Sequence, residues 1–181
     1  EVEAFFQDCE FFQWWSITQS KLLGNVNNVL YQNCQFREDV SSFSDDDHSA
    51  TLDIPLFNNC SFDKTLSFVN ASLKKPVFNN TNNNLIKIQK FRIENCEIEE
   101  KFVLNKLNID YLLIENTEFK AKLELKEGVI NEVELINTNF NGLFDSYSTE
   151  YGRFYCFKSI FNDFVGFEKC KFALLQGSSE L

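Results

Sequence analysis

Apolar and small residues along this chain fall in pairs two positions apart, and the pairs themselves recur at steps of five or six. Phe91/Ile93, Cys96/Ile98, Phe102/Leu104 and Leu107/Ile109 are followed by Leu112/Ile114, Thr117/Phe119, Leu123/Leu125 and Gly128/Ile130. Residues two apart on a strand point to the same side, so each pair predicts one short strand with a single inward face. Four such steps return to the start after 21 residues, and the 21-residue frame recurs four times without a gap from Phe91 to Leu174. One column of the stacked frames reads Ile93, Ile114, Leu135, Cys156; the next reads Cys96, Thr117, Thr138, Ser159; a third reads Ile98, Phe119, Phe140, Phe161. A fixed period of this size predicts supersecondary units stacked along one axis. The expected fold is all-β, a solenoid of parallel strands whose coils close through four faces. The pairing extends backwards through Ile86/Ile88, Pro76/Phe78, Ala71/Leu73, Leu66/Phe68 and Cys60/Phe62, with Cys60, Thr81 and Phe102 again 21 apart. On this pattern the Asn-Cys motifs at Cys60 and Cys96 lie on different faces of the coil.

The residues that carry the pattern are Asp8-Cys9-Glu10-Phe11, Asn33-Cys34-Gln35-Phe36, Asn59-Cys60-Ser61-Phe62, Asn116-Thr117-Glu118-Phe119, Asn137-Thr138-Asn139-Phe140 and Lys169-Cys170-Lys171-Phe172. They resemble the pentapeptide-repeat family, over most of residues 55–172 and less regularly over 4–36. The resemblance implies a right-handed parallel quadrilateral β-helix and a protein that works through its surface. Some family members present a DNA-like negative rod to type II topoisomerases, and members often dimerise through their C-terminal coils. This chain departs from the family in the extra residue of most coils, in its 21 Phe, and in Ile88, Ile109 and Ile130 at the central position. The alternative fold is a leucine-rich-repeat-like solenoid, whose consensus fits residues 109–119. That fold turns helical or irregular in the second half of each repeat, whereas the apolar spacing here stays at two and five.

A single domain is expected over residues 1–181. Within it, residues 1–36 read as irregular N-terminal coils or a cap, because Trp14-Trp15-Ser16-Ile17 and Lys21-Leu22-Leu23-Gly24 break the beat. Residues 37–51 read as a projecting acidic loop, 52–172 as regular coils, and 173–181 as a C-terminal tail that folds back as an intramolecular cap unless a second copy covers the last coils. Asn79 to Asn84 read as an Asn ladder or a turn excursion. The chain begins at Glu1 without a Met, which leaves open a lost targeting segment or a segment of a larger protein. No apolar run approaches the roughly 20 residues of a membrane span.

Six cysteines would suggest disulfides or metal by number alone. Their placement argues for packing: Cys9, Cys34, Cys60, Cys96 and Cys170 take the small inward position, where Thr117, Thr138, Ser159 and Ala71 replace them. A zinc ligand does not tolerate that exchange. Unpaired buried cysteines favour a reducing, cytoplasmic compartment. Asp45-Asp46-Asp47-His48 holds the only histidine but lacks the glycine and distal glutamate of a calcium loop, and reads as a solvated turn. With no phosphate loop and no catalytic triad, neither an enzyme nor a cofactor is expected. The net charge of −10 disfavours direct nucleic-acid binding. Two outward columns carry the functional expectations. One starts acidic, with Glu94, Glu97, Glu115 and Glu118 as a candidate acidic interaction surface. Further along the same columns Ile136, Phe157 and Ile160, joined by Tyr155, form an apolar strip suited to a homodimer or another protein partner. The expected function is a protein-interaction scaffold, with a DNA-mimicking topoisomerase effector as the alternative.

Overall fold

The computed structural model describes residues 6–16, 21–23, 30–43, 50–53, 55–75, 77–78 and 86–177. They form a parallel β-solenoid of about seven coils with no helix. Every strand pairing is parallel, so each coil hydrogen-bonds to the one before and the one after. A central sheet contains Ser61–Val69, Ile86–Glu94, Leu107–Glu115, Val129–Ile136, Glu150–Phe157 and Lys171–Gly177 in spatial order. Its long strands supply two consecutive faces of the coil, here faces 2 and 3. A second sheet of two- to four-residue strands, running from Lys21–Leu23 to Ile160–Phe161, makes face 4. Face 1 is made by Phe6–Gln7, Tyr31–Gln32 and Phe57–Asn58 at one end and by Phe102–Asn105, Leu123–Lys126, Phe144–Tyr147 and Val165–Glu168 at the other.

Among the described residues the coils turn two kinds of sharp corner on residues of positive φ. Between faces 1 and 2 these are Asp8, Asn33, Asn59, Lys106, Glu127, Ser148 and Lys169; between faces 3 and 4 they are Asn70, Asn95, Asn116, Asn137 and Lys158. The left-handed conformation penalises most side chains, and Asn or Asp tolerates it because its short polar group bonds locally. That explains why asparagine dominates the second corner. At the first corner the amides also link between coils, Asn59 Nδ2 to Asn33 Oδ1 at 3.3 Å and Asn33 Nδ2 to Asp8 Oδ1 at 3.0 Å.

All the inward pairs read from the pattern between Phe91 and Ile130 are buried. The phenylalanines stack coil on coil as flat columns: Phe119 on Phe140 at 5.0 Å, Phe140 on Phe161 at 4.7 Å, Phe11 on Phe36 at 4.7 Å and Phe36 on Phe62 at 5.1 Å. Stacking at the spacing of the strands themselves is what a parallel register imposes on identical side chains. Strands on all faces of the repeat exclude the leucine-rich alternative.

The structure differs from the sequence pattern in four places. The 21-residue register holds from Ile86 onward, as in Ile86 opposite Leu107; before that it survives for Ala50 opposite Ala71 and Phe57 opposite Phe78 but is longer elsewhere. Phe62 pairs with Ile88, 26 residues on, and Phe36 with Phe62 by the same interval, so the backward spacing of 21 fails on face 2. Trp15–Ser16 and Lys21–Leu23, which break the beat in the sequence, pair with Val40–Ser41 and Thr51–Asp53 in the ordinary way. The acidic loop shrinks because Val40–Phe43 and Ala50–Asp53 are strands. Its Asp45–His48 cluster, like Pro76 and Asn79–Asn84, lies outside the described residues. Finally, Lys171–Gly177 is a strand on the edge of the central sheet, in parallel register with Glu150–Phe157. As far as Gly177, therefore, the tail adds to the rod.

Candidate functional site

The cysteines serve the corners. Cys96 Sγ donates to the carbonyl of Glu94, just before the Asn95 corner, at 3.2 Å and to Phe68 O of the preceding coil at 3.4 Å. Thr117 Oγ1 repeats the pattern on Glu115 O at 2.9 Å and Ile93 O at 3.5 Å, and Thr138 Oγ1 on Ile136 O at 3.0 Å and Ile114 O at 3.3 Å. Cys34, Cys60 and Thr149 make the same two contacts at the first corner. Thiol and hydroxyl interchange because both are small and each donates its one proton along the same path; Ala71 takes the position on size alone. All six cysteines are free. Burial pushes the Cys60 thiol up to about 12 and the Cys96 thiol up to about 11, which keeps both protonated and unreactive. Among the described residues no group of three or more His, Cys, Asp or Glu is placed to hold a metal.

Outside the core, the second corner forms a ridge along the rod, and the predicted surface residues line it. Glu94 and Glu115 are register partners on face 3, and Glu97 and Glu118 are partners across the corner on face 4. All four are half-exposed. Glu94 is engaged by the Arg92 guanidinium, Glu97 by Lys120, and Glu118 by Asn141 Nδ2 at 2.7 Å. A groove of about 520 Å³ runs beside them, lined by Ser72, Glu97, Glu118 and Asn139 with the corner asparagines. The acid columns are thus partly neutralised by cations from their own and neighbouring strands.

One coil further, the ridge becomes apolar. Glu115 is followed by Ile136 and Ile136 by Phe157 in the register of face 3. Tyr155 lies two residues before Phe157, its ring parallel at 6.3 Å. Ile160 follows on face 4 beyond the Lys158 corner and is 54% exposed. Lys158 Nζ sits 5.0 Å from the Phe157 ring centre, a cation on its open face. The structure therefore brings Ile136, Tyr155 and Phe157 together and sets Ile160 around the corner. Leu113, two residues before Glu115 on the same strand, is buried and adds nothing to the strip.

Two further features escaped the sequence reading. Glu124 faces outward from face 1, between Val103 and Asp145, yet is almost fully buried under three lysine stems. Lys101 and Lys126 reach Oε2 at 2.6 and 3.0 Å, and Lys122 reaches Oε1 at 2.8 Å. Burial opposes ionisation of this carboxyl, but the three ammonium hydrogen bonds outweigh it and hold the group down at about 2. No periodic signal marks such a site: Lys122 and Lys126 flank Glu124 in the sequence, but Lys101 arrives from the preceding coil and the equally near Lys120 pairs with Glu97 instead. The second feature is the exposure of large apolar side chains at both ends of the rod. Phe6, Phe12 and Trp14 lie at one end, and Phe164, Val165 and Phe167 at the other. Among the described residues no helix is long and apolar enough to cross a membrane. No known family, curated protein or solved structure matches this chain.

Proposed function

We propose that the chain is a non-enzymatic protein-interaction module of pentapeptide-repeat type, and that its partner docks on the ridge at Ile136, Tyr155, Phe157 and Ile160. The observation that carries this reading is the switch of a single ridge from glutamate to apolar side chains with the coil geometry unchanged. The core gains nothing from Phe157 or Ile160 pointing outward, and solubility disfavours both, so a covered surface is the physical reason for their presence. Parallel strands hold these residues at fixed spacing, so a partner binds them without ordering a loop first. Free, hydrogen-bonded cysteines support a reducing compartment. A DNA-like surface requires unbroken rows of free negative charge; Arg92 and Lys120 interrupt the rows at Glu94 and Glu97, which favours the scaffold reading.

The test uses wild type and Phe157→Lys and Ile160→Lys variants with matched thermal stability, each used to recover partners from cells of the source organism. A partner retained by wild type and lost by both variants is the expected result. The same partners on all three proteins would move the interface elsewhere, and no retained partner on any of them would end the interaction reading.

A further inference from the structure

The two ends of the rod carry the same corner with opposite charge. Phe6-Gln7-Asp8-Cys9-Glu10-Phe11 opens the first described coil, and Phe167-Glu168-Lys169-Cys170-Lys171-Phe172 turns the last first-type corner. Position by position both have Phe two residues before the left-handed corner, Cys after it and Phe two residues later. Where the first has Asp8 and Glu10, the last has Lys169 and Lys171. Among the described residues of the two ends, 6–16 contain Asp8 and Glu10 with no Lys or Arg, whereas 158–177 contain Lys158, Lys169 and Lys171 against Asp163 and Glu168.

The backbone at the two ends is complementary in the same sense. Within the chain, each corner N–H donates to a carbonyl of the following coil, as Asp8 N does to Gln32 O at 3.0 Å and Ser148 N to Glu168 O at 2.9 Å. Two residues past each corner, an N–H donates back to the preceding coil, as Gln35 N does to Cys9 O at 2.9 Å and Lys171 N to Thr149 O at 3.0 Å. Phe6–Gln7 and Glu10–Phe11 are edge strands at one end, and Val165–Glu168 and Lys171–Gly177 are edge strands at the other. Exposed edges of this kind template further pairing.

We infer that copies of this chain associate head to tail, the Lys169 corner of one copy seating on the Asp8 corner of the next as one more coil. In that arrangement Lys169 meets Asp8 and Lys171 meets Glu10. The lysine at 171 already binds Glu150, and Glu10 already binds Arg37, so the contact continues an alternating row of charge across the junction. Phe167 covers Phe6 and Phe172 covers Phe11. Both columns already stack this way inside the chain, Phe6 on Tyr31 at 5.2 Å and Phe172 on Tyr151 at 4.9 Å. The Lys169 N–H faces Gln7 O, and the Glu10 N–H faces Cys170 O, as at every internal corner. A contact between two C-terminal ends instead opposes lysine to lysine and reverses the strands. Because the two surfaces differ, the contact is heterologous and leads to open linear assemblies rather than closed dimers.

The experiment measures mass against concentration by sedimentation velocity at low and high salt. Three proteins are compared: wild type, a Lys169→Glu/Lys171→Glu variant and an Asp8→Lys/Glu10→Lys variant, each first shown to be folded. Wild type is expected to grow in mass without a plateau at two chains, and salt to weaken the growth. Each variant alone is expected to associate about tenfold or more weakly. An equimolar mixture of the variants restores opposite charge at every junction and is expected to recover assembly. A monomer at all concentrations, a plateau at a dimer, or a mixture that fails to recover would overturn the inference. Phe157→Lys leaves the growth unchanged, so this result and the fate of the ridge are read independently.

Discussion

Replacing Glu124 with Gln tests whether a carboxylate that faces outward is nevertheless an internal electrostatic support of the rod. An unfolded glutamate titrates near about 4.3, whereas the three lysines hold Glu124 at about 2. The difference corresponds to about 3 kcal/mol of stability at neutral pH. The sign follows from the depressed folded value: the contribution is complete above the unfolded pKa and disappears as pH falls through the folded one. Glutamine keeps the shape of the protonated acid, so the wild-type advantage should be about 3 kcal/mol at pH 7 and narrow to about 1.5 kcal/mol at pH 3. Lys101 is half-exposed, and Lys122 and Lys126 are partly so, which lets water take over the freed ammonium groups and makes the pH 7 figure an upper value. Urea unfolding of both proteins at pH 7, 5 and 3 measures the difference directly, and other carboxylates cancel between them. Equal stabilities at pH 7, or a gap that does not close on acidification, would refute the account of Glu124 as a buried anion fixed by its lysines.

Phe140 is fully buried between Phe119 and Phe161, so Phe140→Ala should cost about 3–5 kcal/mol in chemical denaturation. At the corner below it, Thr138→Cys should be nearly neutral because a thiol donates along the same path, while Thr138→Val should lose about 1–2 kcal/mol by leaving Ile136 O without that donor. Asn116 turns its corner at φ 47°; Asn116→Ala should destabilise by about 1 kcal/mol and Asn116→Gly by much less, as measured by thermal unfolding. In the native protein Cys60 and Cys96 should resist a thiol reagent at pH 8 until the chain is unfolded, since burial holds both far above that pH. Rapid modification of both in the folded state would contradict the packing at the corners.

Much of the site was legible because the coil makes sequence position equivalent to surface position. Once the inward pairs were identified, Glu94, Glu115, Ile136 and Phe157 had to share one outward column, and the register confirms that they do. Where the coil length changed, the same reasoning failed. Phe62 lies opposite Ile88 although Phe57 lies opposite Phe78: added residues change the interval between coils while leaving the inward spacing within each strand intact. Side-chain reach was also invisible: which lysine neutralises which glutamate depends on contacts between coils, as when Lys120 turns back to Glu97.

The strand faces, the 21-residue coil and the exchange of Cys with Thr are legible along the chain one coil at a time. Each follows from local geometry, since alternation decides which side chains point inward and the inward position admits only small side chains. The tertiary structure alone decided what happens between coils. It joined Trp15 and Lys21 to ordinary faces, buried Glu124 beneath its lysines, and turned the predicted tail into an open edge strand. It also set the Asp8 and Lys169 corners at opposite ends of one rod, where their shared pattern becomes complementary. These outcomes depend on the distance between residues far apart in the chain, and only the stacking of coils sets that distance.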